Sequence, residues 1–471
     1  MTPEFYNSLT KKTDKFSPIN DQTAKMYTCG PTVYDYAHIG NFRAYIFEDI
    51  LRRTLKYAGY NVTQVMNLTD VDDKTIKNSQ QEGTPLKEYT EKYKKAFFSD
   101  IKTLNIEEAE YYPAATEHID DMIKLVQKLV DKGYGYLADD GSVYFSIKKF
   151  SNYGQLVNID PEQLQTTERI KQDEYEKESV ADFALWKAQT PEDGDVAWDS
   201  PWGPGRPGWH IECSAMSERY LGTTFDIHTG GSDNMFPHHE DEIAQSEAAN
   251  DCRFVNYWLH CAHLIVEGQK MSKSLGNFFT LRDLLDKGLS GRQIRWVLMS
   301  THYRQSLNFT IKGCHDAQSA LRRIDDFVFR LQEAEQQEET DNTSDVADLI
   351  EGHEKDFADC MMDDLNISGA QGVLFQFIRS ANKLLDNNEI GSTGAENIRQ
   401  FLKRCDKILG VINVDDKRKP SVPESVQQRL EEREQARKER DFQRADAIRD
   451  ALQEEGWIIE DTAAGPVVKN A

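Results

Sequence analysis

The sequence predicts an α/β protein: a doubly wound, Rossmann-like parallel sheet with an inserted subdomain, then a helical bundle, then a small C-terminal domain. Three observations lead there. Residues 26–66 read as strand, turn, helix, strand, with two apolar runs flanking an amphipathic one. Alternating short strands then interrupt that pattern until a new strand begins near Phe225. Beyond residue 311 the apolar positions recur at helical spacing only. Expected boundaries are 1–310 for the sheet domain, with the insertion at about 114–207, then 311–414 for the bundle and 424–471 for the last domain.

A chain of 471 residues that is 39% hydrophobic and 10% aromatic can bury the cores of two or three domains. No run of 18 apolar residues occurs, and Met1-Thr-Pro-Glu-Phe5 is not a basic-then-apolar leader, so neither a membrane span nor a signal peptide is expected and the cytoplasm is the default. Seven scattered cysteines in such a chain argue for free or metal-bound thiols rather than a disulfide framework. A formal charge of −24 argues against broad attraction to nucleic acid or anionic membrane. Any RNA contact must use local basic patches, at Lys417-Arg418-Lys419 or on Arg433, Arg437, Lys438, Arg440 and Arg444. The acidic excess is also compatible with a salty cytoplasm.

Taken in order, the apolar run through Met26 and Tyr27 is the first buried strand, broken at Gly30-Pro31. A helix follows from about Asn41 to Ala58, and Asn61–Asn67 is the next parallel strand. Residues 114–133 predict an amphipathic helix, and the turn Asp139-Asp140-Gly141 joins two strands of a hairpin. The proline-rich stretch 190–208 reads as loop. Phe225–His228 reads as a strand, Gly230-Gly231 as a turn, and Pro237 as the first turn of a helix. Leu321, Ile324, Phe327 and Leu331, then Leu374, Phe377 and Leu384, mark the bundle. A charged linker, Asp415–Pro423, leads to one long helix, Ser425–Glu455, and a short strand from Gly456.

Five groups of residues are candidates for chemistry, and two of them are continuous motifs. His38-Ile-Gly-Asn41 stands where a strand turns into a helix, and a helix N-terminus offers free N–H groups to phosphate. His38 can donate to a phosphate oxygen, and Gly40 lets a nucleotide approach. Lys270-Met-Ser-Lys273-Ser lies on a Gly- and Ser-rich loop behind an apolar strand, where two ammonium groups can neutralise a pyrophosphate leaving group. Gly230 and Gly231 would let a purine or ribose lie against the backbone, with Asp233 placed to bind ribose hydroxyls. The acids of Leu68-Thr69-Asp-Val-Asp-Asp-Lys74 are either ligands at a strand's carboxyl end or a helix cap. Cys29, Cys213, His238 and Glu242 form a donor set that suits zinc, His238 and Glu242 sharing a helix face, while His210, His239 and Glu240 are competing ligands.

The elements Cys29-Gly-Pro-Thr-Val-Tyr-Asp35, His38-Ile-Gly-Asn41, Asn67-Leu-Thr-Asp-Val-Asp-Asp-Lys74, Pro207-Gly-Trp-His-Ile-Glu-Cys-Ser-Ala-Met216, Gly230-Gly-Ser-Asp-Asn-Met-Phe-Pro-His-His-Glu240 and Lys270-Met-Ser-Lys-Ser-Leu-Gly-Asn277 occur in this order. Together they resemble the cysteinyl-tRNA synthetases, class I aminoacyl-tRNA synthetases. Asn41 departs from the histidine of that class's first motif. The resemblance implies one zinc on Cys29, Cys213, His238 and Glu242, magnesium with ATP, and Lys273 as the ATP-binding lysine. It also implies a substrate-cysteine pocket near Thr69 and walled by Trp209, and an anticodon-binding C-terminal domain with Arg437, Asp446 and Asp461 at the anticodon. The implied partners are ATP, L-cysteine and tRNA(Cys), with no membrane, for a monomer. A mycothiol-type cysteine ligase, or a non-catalytic zinc- and RNA-binding regulator, are the alternatives.

Overall fold

The computed structural model describes residues 1–158, 182–340, 343–415, 424–455, 457–462 and 465–470. By compactness they divide into two units. The first is Met1–Ala317 with Glu351–Gln376 and Arg404–Val411, and the second is Gln318–Ile350, Phe377–Lys403 and Ile412–Ala471.

The first unit opens with an antiparallel ribbon, β1 (Glu4–Asn7) and β2 (Lys12–Lys15). Then come β3 (Thr23–Thr28), α1 (Ile39–Tyr57) and β4 (Asn61–Met66), the expected βαβ start. After α2 (Asp73–Glu82), α3 (Leu86–Thr103) and α4 (Ile119–Asp131), the strands β5 (Gly135–Leu137), β6 (Val143–Phe145), β7 (Phe183–Ala188) and β8 (Gly205–Pro207) form an antiparallel sheet in that order. The chain returns through α5 (Trp209–Leu221) to β9 (Phe225–Gly231), α6 (Glu240–Asn250) and β10 (Val255–Cys261). The parallel sheet runs β10-β9-β3-β4, so strand order reverses between β3 and β9, where the carboxyl ends part around a crevice. A single cluster of buried side chains joins Tyr27 and Val65 of this sheet to Met122 and Leu129 of α4 and to Phe145, Phe183 and Trp186 of the antiparallel sheet. The inserted strands therefore share a core with the parallel sheet.

Next are β11 (Leu264–Val266), β12 (Gln269–Lys270), α7 (Leu281–Asp286), α8 (Gly291–Leu298) and β13 (Leu307–Phe309). Four long helices follow: α9 (Ile311–Ala334), α10 (Thr343–Met362), α11 (Ile367–Asp386) and α12 (Ser392–Leu409). In the second unit Phe377 packs against Phe327 and Phe401, with ring centroids 6.3 and 4.5 Å away. The C-terminal piece is a helix pair, α13 (Glu424–Lys438) and α14 (Phe442–Glu454), over a ribbon of β14 (Trp457–Thr462) and β15 (Gly465–Asn470), with Val426, Leu452 and Trp457 as its core. None of the described helices is long and apolar enough to cross a membrane.

Four expectations are corrected. The long C-terminal helix is two, because Arg440 takes a left-handed φ of 62° and the Asp441 carboxylate caps α14 by accepting from the Arg444 N–H. Pro207 sits in a strand, tolerated because β8 is the edge of its sheet. Gly230 and Gly231 end β9 rather than form a turn. Arg433, counted in the basic patch, is 5% exposed, so the patch is Arg437, Lys438, Arg440 and Arg444. The other patch, at residues 417–419, lies outside the described residues.

Candidate active site and metal centre

The crevice beyond β3 and β9 opens into a cavity of about 860 Å³. His38, Gly40, Asn41, Thr69, Trp209, Gly231, Asp233 and Lys270 line it, together with Cys29, Cys213 and His238.

The helix start is built by a reciprocal cap. His38 Nδ1 accepts from the Asn41 N–H at 3.2 Å, and Asn41 Oδ1 accepts from the His38 N–H at 3.0 Å. Burial lowers the His38 pKa, so the ring is neutral at pH 7, and with Nδ1 accepting, its proton sits on Nε2. That leaves Nε2–H to donate. Asn41 thus fixes the imidazole, and a Cβ at Gly40 would come within 2.9 Å of that ring. Gly230 is explained the same way: a Cβ there would meet His239 at 2.8 Å, so its empty side is taken by an imidazole. The acids after β4 are structural: Asp72 caps α2, Asp70 holds Lys94 and Thr116, and Asp73 pairs with Lys187 and Arg206.

Lys270 ends β12, and Ser272 caps a 3₁₀ turn, Lys273–Leu275, that Gly276 closes with a φ of 66°. Lys273 is not part of the cavity wall; its Nζ lies 3.0 Å from Asp35 Oδ2, and Asp35 does line the cavity. Thr69 is buried, with its hydroxyl accepting from Asn67 Nδ2 and donating to Glu212 Oε2 at 3.0 Å.

Deeper lies a group of side chains that could hold a metal ion. One ligand atom each from Cys29, His238, His239 and Glu242 lies within 4.8 Å of the others. Cys213 adjoins them, since its thiol and that of Cys29 hydrogen-bond, and this contact and burial raise the Cys29 pKa well above its ordinary value. His239, a competing ligand in the sequence, thus joins the cluster, with Nε2 3.2 Å from Cys29 Sγ and Nδ1 2.8 Å from His260. His210 and Glu240 do not: Glu240 accepts the Gly154 and Leu156 N–H groups.

The hydrogen bonds set the protons. Asp241 accepts from the Tyr153 hydroxyl and faces His210 Nε2 at 3.3 Å, so His210 donates there and its Nδ1 accepts from His238 Nδ1 at 2.8 Å. His238 Nε2 is then a lone pair, and it faces Glu242 Oε1 at 3.0 Å. That oxygen is buried and has no hydrogen-bond partner, while Oε2 is held by His228 Nε2 at 2.8 Å. Two lone pairs directed at one another beside two thiols fit a cation. Trp209, 43% exposed, stacks on His238 with ring centroids 4.3 Å apart. Sequence reasoning missed His228 and His260, which touch the cluster through Glu242 and His239, 14 and 21 positions away from them in the chain, and carry no motif.

A family model described as "tRNA synthetases class I (C) catalytic domain" matches residues 15–319. Those of a "DALR domain" and a "Cysteinyl-tRNA ligase anticodon binding domain" match 356–413 and 419–465. The cysteine–tRNA ligase of Brachyspira hyodysenteriae is 53% identical over 466 residues, covering 98% of each chain. The chain belongs to the cysteine–tRNA ligase family. A second member, from Protochlamydia amoebophila, is 50% identical over 98% of this chain and 97% of its own. Among solved structures, Mycobacterium tuberculosis methionyl-tRNA synthetase in complex with methionyl-adenylate has a TM-score of 0.59 at 14% identity, covering 83% of this chain and 89% of that one. That likeness is one of fold, and it sets the cysteine–tRNA ligase sheet among the class I synthetase folds.

Arg437 and Asp446, the residues expected at the anticodon, lie exposed on α13 and α14, and Asp461 lies on β14, in register with Pro466.

Proposed function

We propose that this protein ligates L-cysteine to tRNA(Cys) in two steps. The cysteine carboxylate attacks the α-phosphorus of ATP, giving cysteinyl-adenylate and pyrophosphate. A hydroxyl of the tRNA's terminal ribose then attacks the carbonyl carbon and AMP leaves. No protein nucleophile is required, so the chain's part is positioning and charge stabilisation.

The observation that carries this reading is that Cys29, Cys213 and His238 line the same cavity as His38, Asn41 and Lys270, with Glu242 grouped with Cys29 and His238 behind the wall. His38 Nε2–H and the N-terminus of α1 face the phosphates, Lys270 stands across from them, and Lys273 takes up charge on the departing pyrophosphate. Gly231 and Asp233 receive the nucleoside. Magnesium, when bound together with ATP, would offset part of the triphosphate's charge. Cys29, Cys213, His238 and Glu242 would hold one zinc ion, with His239 as a neighbouring donor tied back to His260. When bound, zinc supplies an acid that bonds a soft thiolate far better than a hydroxyl. Trp209 closes the amino-acid side of the cavity, and Thr69, its hydroxyl already engaged, offers its methyl group.

The regulator alternative is disfavoured by a cap that leaves His38 ready to donate, and the mycothiol-type ligase by the matches at 356–413 and 419–465. We assign the sheet and its insertion to 1–310, the bundle to 311–414 and anticodon binding to 424–471, in a monomer of the cytoplasm. Cysteine-dependent exchange of labelled pyrophosphate into ATP, followed by cysteine transfer to tRNA(Cys), tests the reading. Transfer to an amino sugar in place of tRNA would contradict it.

A further inference from the structure

The loop carrying Lys273 is fastened very differently at its two ends. Its root is held by backbone: the Ile39 N–H donates to the Phe279 carbonyl at 3.0 Å, and His38 bridges Thr280. Its tip is tied to the opposite wall by the Lys273–Asp35 ion pair at 3.0 Å, its side chains 69% and 40% exposed. Asp35 is itself fixed, because its Oδ1 accepts the Tyr36 N–H at 2.8 Å. Phe278 lies beside both partners of the reaction centre, its centroid 5.1 Å from Lys273 Nζ and 5.1 Å from that of His38. A carboxylate three residues before His38 therefore occupies an ammonium that a triphosphate in this cavity needs.

We propose that Asp35 competes with ATP for Lys273: it pairs with the lysine in the free enzyme, surrenders it to ATP, and takes it back once pyrophosphate leaves. This rests on the reading of the cavity as an ATP site. An exposed pair of this kind is weak enough for the more highly charged triphosphate to displace it. Asp35 and ATP thus compete for one cation, and Asp35 lowers the affinity for pyrophosphate as well as for ATP.

The test is ATP binding at equilibrium, with KM and kcat from cysteine-dependent pyrophosphate exchange, on the full-length protein. Asp35→Asn is expected to bind ATP about two- to fivefold more tightly and to lower the KM for ATP by a similar factor without raising kcat, as follows from the strength of such pairs. Asp35→Glu, which keeps the charge, should stay near wild type. In a Lys273→Ala background the Asp35→Asn gain should vanish, which separates a competed ion pair from general charge repulsion between Asp35 and ATP. Unchanged or weaker ATP binding by Asp35→Asn, or an equal gain without Lys273, would overturn the proposal while leaving the ligase reading intact. A wild-type protein that neither binds ATP nor exchanges pyrophosphate would sink both.

Discussion

The cavity's floor and its lysine loop do opposite kinds of work with similar means. On the floor, His228, His238, His239 and Glu242 are at most 2% exposed, and each is fixed by a named partner. On the loop, Lys273 is mostly exposed and held by one surface ion pair. Burial makes every polar atom's partner matter, since an unpaired one costs its full desolvation. Exposure makes the Lys273–Asp35 pair cheap to break, which suits the late delivery of charge proposed for this loop. The comparison teaches that the proposed recognition group is buried and multiply held, whereas the proposed charge-neutralising lysine is exposed and singly held.

That contrast can be broken most visibly on the loop. Lys273→Ala should slow adenylate formation by about 10²–10³-fold, the usual loss for one group aimed at developing charge, while metal content and Tm stay at wild-type values. A fall in Tm would mean that the loop is part of the structural core.

On the floor the expected pattern is reversed. His228→Ala frees Glu242 Oε2 and opens a hole where the ring stacks on Trp258 at 4.6 Å. Zinc affinity, read by chelator competition, should fall by about 10–100-fold with a clear drop in Tm. ATP binding, measured without cysteine, should barely change. Equal zinc affinity would show that Glu242 needs no orienting partner.

A smaller effect marks off the structural acids. Although burial opposes it, Lys187 and Arg206 hold the Asp73 carboxyl below its ordinary value. A depressed carboxyl contributes stability above its unfolded pKa and loses it as pH falls through the folded one. Asp73→Asn should therefore flatten the acid-side loss of Tm below about pH 4, leaving cysteine activation at pH 7 unaltered. If activation falls, Asp73 belongs to the site after all.

The sequence made the catalytic half of this molecule legible because its elements are local. A strand, a turn with His38 and an amphipathic helix lie within 35 residues, and His238 and Glu242 share a face by spacing alone. What it could not show were partners set by the sheet. His228 reaches Glu242 only because β9 and the following helix fold back, and Ser8 reaches His260 across 252 positions. That Asn41, the departure from the class's histidine, also accepts from the His38 N–H is visible only in the structure. The C-terminal break was hidden because a continuous charged run carries no punctuation, and only the left-handed Arg440 reveals it. No strand was expected over β15, since Gly465 and Pro466 are poor strand-interior residues, yet a two-stranded ribbon has only edges and tolerates them.

The central claim is that the buried cluster selects sulfur through a metal ion while the neighbouring cradle handles triphosphate. Its most direct test is metal content measured beside pyrophosphate exchange, with cysteine and with serine, for wild type and Cys213→Ser. The account predicts one zinc per chain, exchange with cysteine and almost none with serine, and loss of both zinc and that preference in Cys213→Ser. A metal-free protein that still prefers cysteine over serine as strongly as the metal-loaded one would contradict it.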